Sequence, residues 1–158
     1  MLRLTDGPGL PVPVSDELNR PFWDAAREGR LVIPRCAECG RIMAPPVANC
    51  SACLARRFEW VATSGRGRVY SFIEYHRAWI REYDGRLPYL VAIVELDEGP
   101  RLITALVGEA SDWVTIGARV RVAFQERAEG AQVPVFEHDP SGEPAPPAAA
   151  AGTARGGD

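Results

Sequence analysis

Four cysteines are the residues best suited to chemistry in this sequence, and they form two Cys-x-x-Cys pairs. Cys36 and Cys39 make the first pair, and Cys50 and Cys53 make the second after ten intervening residues. Two such pairs at short separation are typical of a tetrahedral zinc site with four thiolate ligands. Because thiolates would fill every coordination position, none would be left for water or substrate. We therefore predict a structural metal and expect the function to lie elsewhere.

The turns that follow the two pairs differ in sequence. Gly40 follows Cys39, and such turns often need the positive φ that glycine adopts freely. Leu54 stands at the equivalent place after Cys53, which leaves the geometry of the second turn open. Two alternatives to zinc remain, because the same ligands bind iron and because cysteines form disulfides in oxidising compartments. No hydrophobic leader precedes the cysteines, so we expect a cytoplasmic protein with reduced thiols.

The rest of the chain offers few catalytic groups. All 18 basic residues are arginines, so no lysine is present for Schiff-base or general-base chemistry. His76 and His138 are the only imidazoles. Glu74 and His76 would share one face of a strand and could form an acid/base pair, although two ordinary surface residues give the same pattern. We therefore expect no catalysis by this chain alone.

Charge is distributed unevenly along the chain. Residues 27–86 contain 11 arginines and six acidic residues, whereas residues 87–158 contain five arginines and 11 acidic residues. The basic middle either faces an anionic ligand or offsets the negative charge of the four thiolates, which are flanked by arginines. No apolar run approaches the roughly 18 residues that a membrane helix needs, so we expect no membrane association. The flanking arginines are Arg35, Arg41, Arg56 and Arg57.

An arm and one helix are predicted before the cysteines. Residues 1–14 are rich in proline and glycine and indicate an extended arm. A helix that starts at Ser15 or Asn19 and stops at Gly29 would carry one apolar stripe. That stripe either packs on the domain or docks on a partner, because so short a helix is marginal alone. The stripe consists of Leu18, Phe22 and Ala26.

About five β-strands are predicted after the zinc ribbon. Gly65 and Gly67 precede a long strand that ends near His76, and glycines there suit the strong curvature of a small barrel. Five short, curved strands are typical of an OB-type barrel, so we predict a mainly β protein with an N-terminal helix, a zinc ribbon and an OB-fold. The predicted parts are an arm and helix at 1–29, a zinc ribbon at 30–62, an OB-fold at 63–138 and a disordered Pro/Ala/Gly tail at 139–158.

The predicted loop at residues 77–88 has no clear periodicity. It contains two aromatic residues, Trp79 and Tyr83, and three arginines. Function concentrates in such loops, so we predict a ligand or partner role for it. The alternative is a plain connection whose aromatic residues pack back on the barrel.

Taken together, these motifs resemble a known family that joins a rubredoxin-like zinc ribbon to an OB-fold and associates with acyl-CoA enzymes. The resemblance extends from about Asn19 to Phe136, and Leu54 departs from it because the family usually has glycine there. The matching segments are Pro21-Phe22-Trp23, Gly29-Arg30-Leu31, Arg35 to Gly40, Pro45-Pro46, Cys50 to Cys53, Gly65 to Phe72, Pro88-Tyr89, Val94-Glu95-Leu96 and Ile116 to Val120.

The resemblance implies an accessory subunit without catalysis of its own. Such a subunit forms a hetero-oligomer with a thiolase, a thiolase-like aldolase or a hydratase and often helps to bind the CoA portion of the substrate. The processes implied are steroid, lipid and aromatic acyl-CoA metabolism. As a hypothesis, the ribbon and helix dock on the partner enzyme, while the barrel face and the 77–88 loop line its acyl-CoA channel.

No family motif identifies CoA contacts, so the predicted ones are chosen by charge and position. Arginines bind phosphates well because the guanidinium offers a planar fork of donors. Aromatic residues are the predicted contacts for the adenine or the pantetheine arm. The arginines are Arg66, Arg68, Arg77 and Arg81, and the aromatic residues are Tyr70, Phe72 and Trp79.

A zinc ribbon joined to an OB-fold is also an architecture that binds single-stranded nucleic acid. OB barrels stack bases on aromatic residues over a basic groove, and Tyr70 and Phe72 could serve in this way. The pI of about 5.5 argues against this alternative, because nucleic-acid-binding domains are typically strongly basic. We therefore expect an acyl-CoA enzyme partner and no nucleic acid.

Overall fold

The computed structural model describes residues 10–108 and 113–141. One helix and seven strands make up its regular structure, with short 3-10 turns at Arg81–Tyr83 and Ala128–Gly130. The elements are α1 (Arg20–Arg27), β1 (Val32–Cys36), β2 (Phe58–Ala62), β3 (Arg66–Tyr75), β4 (Tyr89–Leu96), β5 (Arg101–Leu106), β6 (Arg119–Glu126) and β7 (Gln132–His138).

Helix α1 begins after Asn19, one of the two predicted starting points, and Gly29 follows it with a φ of 71°. The Asn19 side chain accepts a hydrogen bond from the Asp16 N–H at 2.9 Å instead of capping the helix. Phe22 belongs to the main core, which places the helix against its own domain, whereas Leu18 of the predicted stripe stays 41% exposed. The stripe therefore packs inward over most of its length and leaves its first residue on the surface.

The zinc-ribbon region is built on an antiparallel hairpin of β1 and β2. Its register runs from Val32 opposite Ala62 to Cys36 opposite Phe58. An isolated bridge between Arg35 and Ile42 adds a short third segment to this hairpin. The hairpin thus holds Cys36 in place at the end of a strand.

Strands β3 to β7 form a closed five-stranded barrel in the order β3-β4-β5-β7-β6, which confirms the predicted OB-fold. All neighbouring pairs are antiparallel except β5 and β7, which run parallel. The long strand β3 pairs with both β4 and β6, and a bulge at Tyr70 shifts its register. A bulge increases local twist, which lets one strand serve two neighbours around a tight barrel.

One hydrophobic core joins the ribbon to the barrel. Val69, Val94 and Phe136 of the barrel are almost completely buried, and Leu31 and Ile33 from the ribbon belong to the same cluster. A second, smaller cluster surrounds Cys36 and Cys50. The predicted zinc ribbon and the predicted OB-fold therefore share one hydrophobic core.

The barrel extends one residue beyond the boundary predicted at position 138. Asp139 is 1% exposed, and its N–H donates to the Arg119 carbonyl at 3.0 Å, so it continues the β6–β7 ladder. Its carboxylate accepts hydrogen bonds from the N–H and hydroxyl of Ser141. The remainder of the predicted tail, residues 142–158, lies outside the described residues. In the described part of the chain, no helix is both long and apolar enough to cross a membrane.

Candidate metal centre and exposed loop

The four predicted metal ligands come together in one cluster. Their sulfur atoms all lie within 4.8 Å of one another. Sγ of Cys36 is 3.6 Å from Sγ of Cys53, and Sγ of Cys39 is 3.5 Å from Sγ of Cys50. A tetrahedral zinc ion with Zn–S bonds of about 2.3 Å needs sulfurs about 3.8 Å apart, so these residues fit a structural zinc ion.

The two metal-binding turns have the same backbone geometry despite their different sequences. The Gly40 N–H donates to the Cys36 carbonyl at 2.9 Å, and the Leu54 N–H donates to the Cys50 carbonyl at 3.0 Å. Gly40 and Leu54 both have a left-handed backbone, with φ of 73° and 61°. The second turn, whose geometry the sequence left open, therefore forms in spite of the side chain at position 54.

The local surroundings shift the pKa values of two of the cysteines in opposite directions. The backbone N–H groups of Cys53 and Ala52 lower the pKa of Cys50 to about 6. The Ala55 N–H favours the Cys53 thiolate, but neighbouring sulfurs, Cys39 first among them, outweigh it and raise the pKa of Cys53 to about 12. Four thiolates so close together repel one another, so a bound cation is needed to ionise them all.

Most arginines beside the cysteines are paired with local groups. Arg35 lies 2.7 Å from Glu59, and Arg57 lies 3.3 Å from Glu38. Such exposed pairs contribute between zero and about 1 kcal/mol each. The positive charge around the metal site is therefore partly neutralised by these acids, and the arginines do not form a free basic patch.

Arg66 and Arg68, the first two predicted phosphate contacts, differ in their surroundings. Nη1 of Arg66 lies 3.5 Å from the buried carboxylate of Asp139. Nη1 of Arg68 is buried and has no hydrogen-bond acceptor within the described residues. Arg66 therefore faces an acidic group, whereas one guanidinium nitrogen of Arg68 is enclosed without an acceptor.

Tyr70 and Phe72 both reach the surface of β3, with exposures of 46% and 37%. The guanidinium carbon of Arg101 lies 3.4 Å from the centroid of the Tyr70 ring, a cation–π contact. Nε of Arg101 also donates to Glu95 at 2.9 Å. Arg101 is not among the contacts predicted from the sequence, and it lies opposite Glu95 across the turn between β4 and β5.

The remaining three predicted contacts lie in the exposed 77–88 loop. The guanidinium carbon of Arg77 is 5.2 Å from the centroid of the Trp79 ring, and Trp79 is 67% exposed. Arg81 begins the 3-10 turn Arg81–Tyr83 and is also exposed. This loop therefore presents two arginines and an indole within one short surface segment.

A stack of three tyrosines fixes the base of that loop. The rings of Tyr75 and Tyr89 stack with centroids 4.9 Å apart, and Tyr83 packs on Tyr89 at 4.5 Å. Tyr89 is 8% exposed, and burial raises its pKa. Tyr83 thus packs back on the barrel, whereas Trp79 is exposed, and the ligand or partner role of the loop stays a prediction.

The seven predicted CoA contacts do not form one compact cluster. Arg66 and Arg68 lie at the start of β3, whereas the 77–88 loop follows the end of this strand. Ten extended residues span up to about 33 Å, so the two groups lie toward opposite ends of the strand. Tyr70 and Phe72 lie between them.

The two histidines have simple surface contacts. Nε2 of His76 lies 3.4 Å from Oε1 of Glu74, and both side chains are exposed. The His138 ring stacks on Trp113 with centroids 4.9 Å apart. Because Glu74 and His76 are both exposed, they are better explained as ordinary surface residues than as an acid/base pair.

An apolar groove that the sequence analysis did not predict lies beside β5 and β7. Its volume is about 480 Å³. Helix α1, the Pro45-Pro46 segment and the two strands all contribute to its walls. No local motif predicts it, because its walls come from several distant parts of the chain.

Comparisons with known proteins agree with this architecture. Residues 23–59 match the family described as "ChsH2, rubredoxin-like zinc ribbon domain", and residues 60–125 match "ChsH2, C-terminal OB-fold domain". A "Probable enoyl-CoA hydratase alpha subunit" of Thermomonospora curvata is 39% identical over 126 residues, which cover 80% of this chain and 39% of that protein. The chain thus spans about two-fifths of the length of that relative.

Two further relatives belong to other enzymes. The "Benzoylsuccinyl-CoA thiolase subunit BbsA" of Thauera aromatica is 32% identical over 74 residues, covering 47% of this chain and 49% of that protein. A solved structure named "Ltp2-ChsH2(DUF35) aldolase" has a chain 38% identical, with a TM-score of 0.72 over 80% of this chain and 98% of that chain. The present chain therefore belongs to the ChsH2 family of zinc-ribbon and OB-fold proteins, whose members include subunits of hydratases, thiolases and aldolases.

Proposed function

We propose that this chain is an accessory subunit without catalysis of its own. It binds a thiolase-like enzyme, either a thiolase or an aldolase, or else a hydratase, and it helps that enzyme to hold its acyl-CoA substrate. The names of its relatives support this proposal, because they are subunits of a hydratase, a thiolase and an aldolase. The substrates belong to lipid, steroid or aromatic acyl-CoA metabolism.

The observation that carries the proposal is the exposed surface of the 77–88 loop. Trp79 is 67%, Ile80 42% and Leu87 38% exposed, although the base of the loop is held by the tyrosine stack. Large apolar side chains that are exposed together on an anchored loop are typical of a surface that contacts a ligand or a partner. This loop is therefore the part of the chain that faces the acyl-CoA in the complex.

The chemistry of the loop suits the CoA portion of a substrate. Arg77 and Arg81 supply guanidinium donors for phosphate groups, and Trp79 supplies a flat surface for the adenine or the pantetheine arm. At the other end of β3, Nη1 of Arg68 is buried and Arg66 already faces Asp139. The loop residues are consequently the stronger candidates among the seven predicted contacts.

The metal centre supports a structural role for the ribbon. Zinc bound by four thiolates supplies a crosslink and leaves no position for a substrate. Glu74 and His76 are exposed on the barrel surface. These features favour an accessory role over an independent enzyme.

Co-purification from the native host, with mass spectrometry of the bound protein, tests this function. We expect a thiolase-like or hydratase-like subunit in fixed ratio, and tighter acyl-CoA binding by the complex than by either subunit alone. Recovery of RNA or ribosomal proteins would instead favour the nucleic-acid alternative. Recovery of a lone chain that does not bind acyl-CoA would overturn the proposal.

A further inference from the structure

The four metal-binding cysteines differ in their access to solvent. Cys36 is 1% and Cys50 0% exposed, and both lie in the smaller hydrophobic cluster. Cys39 and Cys53, by contrast, are exposed. The first cysteine of each Cys-x-x-Cys pair is therefore enclosed by protein, whereas the second is open to small molecules in the solvent.

Each exposed cysteine also lies against a buried cysteine of the opposite pair. Sγ of Cys53 is 3.6 Å from Sγ of Cys36, and Sγ of Cys39 is 3.5 Å from Sγ of Cys50. A disulfide holds its sulfurs about 2.05 Å apart, so each of these close pairs would have to shorten by roughly 1.5 Å. An accessible thiolate beside a second cysteine that can react with it is the arrangement typical of redox-sensor cysteines.

Thiol chemistry in this chain is confined to the metal centre. The sequence contains no fifth cysteine, so any disulfide within the chain has to form here. Metal ligation keeps cysteine in the thiolate form, which is also the form that attacks an oxidant. Access then decides which sulfur reacts first, because susceptibility to oxidation follows thiolate character and exposure.

We propose that Cys39 and Cys53 are sites of oxidation by hydrogen peroxide, and that each then forms a disulfide with the buried cysteine nearest to it. The resulting bonds are Cys36–Cys53 and Cys39–Cys50. Together they remove all four thiolate ligands, so the metal is released. This chemistry needs only the ribbon and does not depend on a partner enzyme.

The reaction at each exposed cysteine balances in two steps. The thiolate attacks one peroxide oxygen, the O–O bond breaks, and the sulfur becomes a sulfenic acid while hydroxide leaves. The neighbouring buried thiolate then attacks that sulfur, forms the S–S bond and displaces a second hydroxide. Two protons convert the hydroxides to water, and the two sulfurs lose the two electrons that one peroxide gains.

The proposed disulfides would join one metal-binding turn to the other, as the metal does. Disulfides within each Cys-x-x-Cys pair would instead leave the two turns unconnected. Oxidation by the proposed route therefore releases the metal but keeps the ribbon crosslinked. A thiol reductant and fresh zinc would then restore the original site, because disulfides are reversible products of cysteine oxidation.

Titration of the zinc-loaded, full-length chain with hydrogen peroxide tests the proposal. Each disulfide consumes one peroxide, so two peroxide molecules per chain should release the zinc, as measured with a chromogenic chelator. The number of thiols that iodoacetamide alkylates after denaturation should fall from four to zero. Dithiothreitol and zinc should restore both values. Zinc that stays bound in a several-fold excess of peroxide would overturn the proposal.

Tryptic digestion identifies the disulfides, because arginines separate the two cysteine pairs. Cleavage at these arginines gives peptide 36–41 and peptide 42–56, with one pair in each. We expect the oxidised chain to give the two peptides joined, with the links assigned by fragmentation to the two close sulfur pairs. Two separate peptides, each with an internal disulfide, would contradict the proposed connectivity.

Trapping of the sulfenic acid shows which cysteines peroxide attacks. With less than one peroxide per chain and dimedone present, the label should accumulate on Cys39 and Cys53 and be largely absent from Cys36 and Cys50. The metal-free chain unfolded in guanidinium is the control, since all four cysteines are accessible there and should be labelled alike. Equal labelling of all four cysteines in the folded, zinc-loaded chain would exclude exposure as the cause and refute the assignment.

Discussion

Leu54 and Gly40 adopt the same left-handed backbone in the two metal-binding turns, with φ of 61° and 73°. Only glycine enters this region without a steric penalty, which for other residues is about 1–2 kcal/mol. The Leu54 side chain is 75% exposed, so little packing offsets the penalty. The metal site thus holds one of its turns in a conformation that the local sequence disfavours.

Leu54→Gly should stabilise the ribbon by about 1 kcal/mol, because it relieves this penalty without removing buried contacts. The measurement is the free energy of unfolding in urea with metal bound. Leu54→Ala is the matched control, since it shortens the side chain but keeps a Cβ in the left-handed region. An equal gain in both variants would show that the exposed leucine side chain, and not its backbone, is responsible.

Metal removal should unfold the ribbon before the barrel. The small cluster around Cys36 and Cys50 depends on the crosslink, whereas the barrel core has its own buried side chains. Titration with a chelator, followed by hydrogen exchange, should show loss of protection first between residues 36 and 58. Simultaneous loss in β4 and β6 would contradict this order and indicate one cooperative unit. Cys39→Ser should reproduce the effect without a chelator.

Gly67→Ala should destabilise the barrel by roughly 2 kcal/mol or more, because the position has no room for a methyl group. A Cβ at Gly67 would clash with the Glu95 carbonyl and come within 2.9 Å of Cγ1 of Val94. The thermal unfolding temperature measures this loss. Gly40→Ala provides a contrasting control, since nothing lies within 4 Å of that Cβ and only backbone strain would be added. If the Gly67→Ala protein were as stable as wild type, Gly67 would not be closely packed against Glu95 and Val94.

Asp97→Asn should destabilise the chain near neutral pH by about 1–2 kcal/mol. Both Asp97 oxygens accept hydrogen bonds from Arg119, at 2.6 and 2.8 Å, and this pairing lowers the pKa of Asp97. The stabilisation is present above the unfolded pKa of about 3.9 and is lost as pH falls through the lower folded pKa. Urea unfolding from pH 7 to pH 2 should therefore show the two proteins converging in acid.

The control for this pH series is Asp84→Asn, a change in an exposed loop aspartate. It should leave the free energy of unfolding within about 0.5 kcal/mol of wild type throughout. A difference between Asp97→Asn and wild type that persists unchanged at pH 2 would mean that the Asp97 carboxylate charge does not cause the stabilisation.

Trp79→Ala should weaken acyl-CoA binding by the complex about tenfold while leaving fold and zinc content unchanged. Trp79 is 67% exposed, so its removal creates no cavity. Isothermal titration with acyl-CoA measures the affinity. Ile116→Ala removes a comparably exposed apolar residue outside the loop and should have no effect on binding. Unchanged affinity in Trp79→Ala would exclude this residue as a CoA contact.

The sequence by itself determined the features that depend on local spacing. The two Cys-x-x-Cys pairs fixed the ligand set, because four thiolates at that spacing have few other uses. Alternation of apolar residues, together with glycine at Gly65 and Gly67, indicated the strands of the barrel.

The tertiary structure alone decided the features built from distant segments. Pairing of Arg66 with Asp139 brings together residues from the start of β3 and the end of β7, which no local pattern relates. The pairing of β5 with β7, which are distant in the sequence, likewise follows only from closure of the barrel. Local spacing specifies elements, whereas the contacts between elements arise only when a single core has been packed.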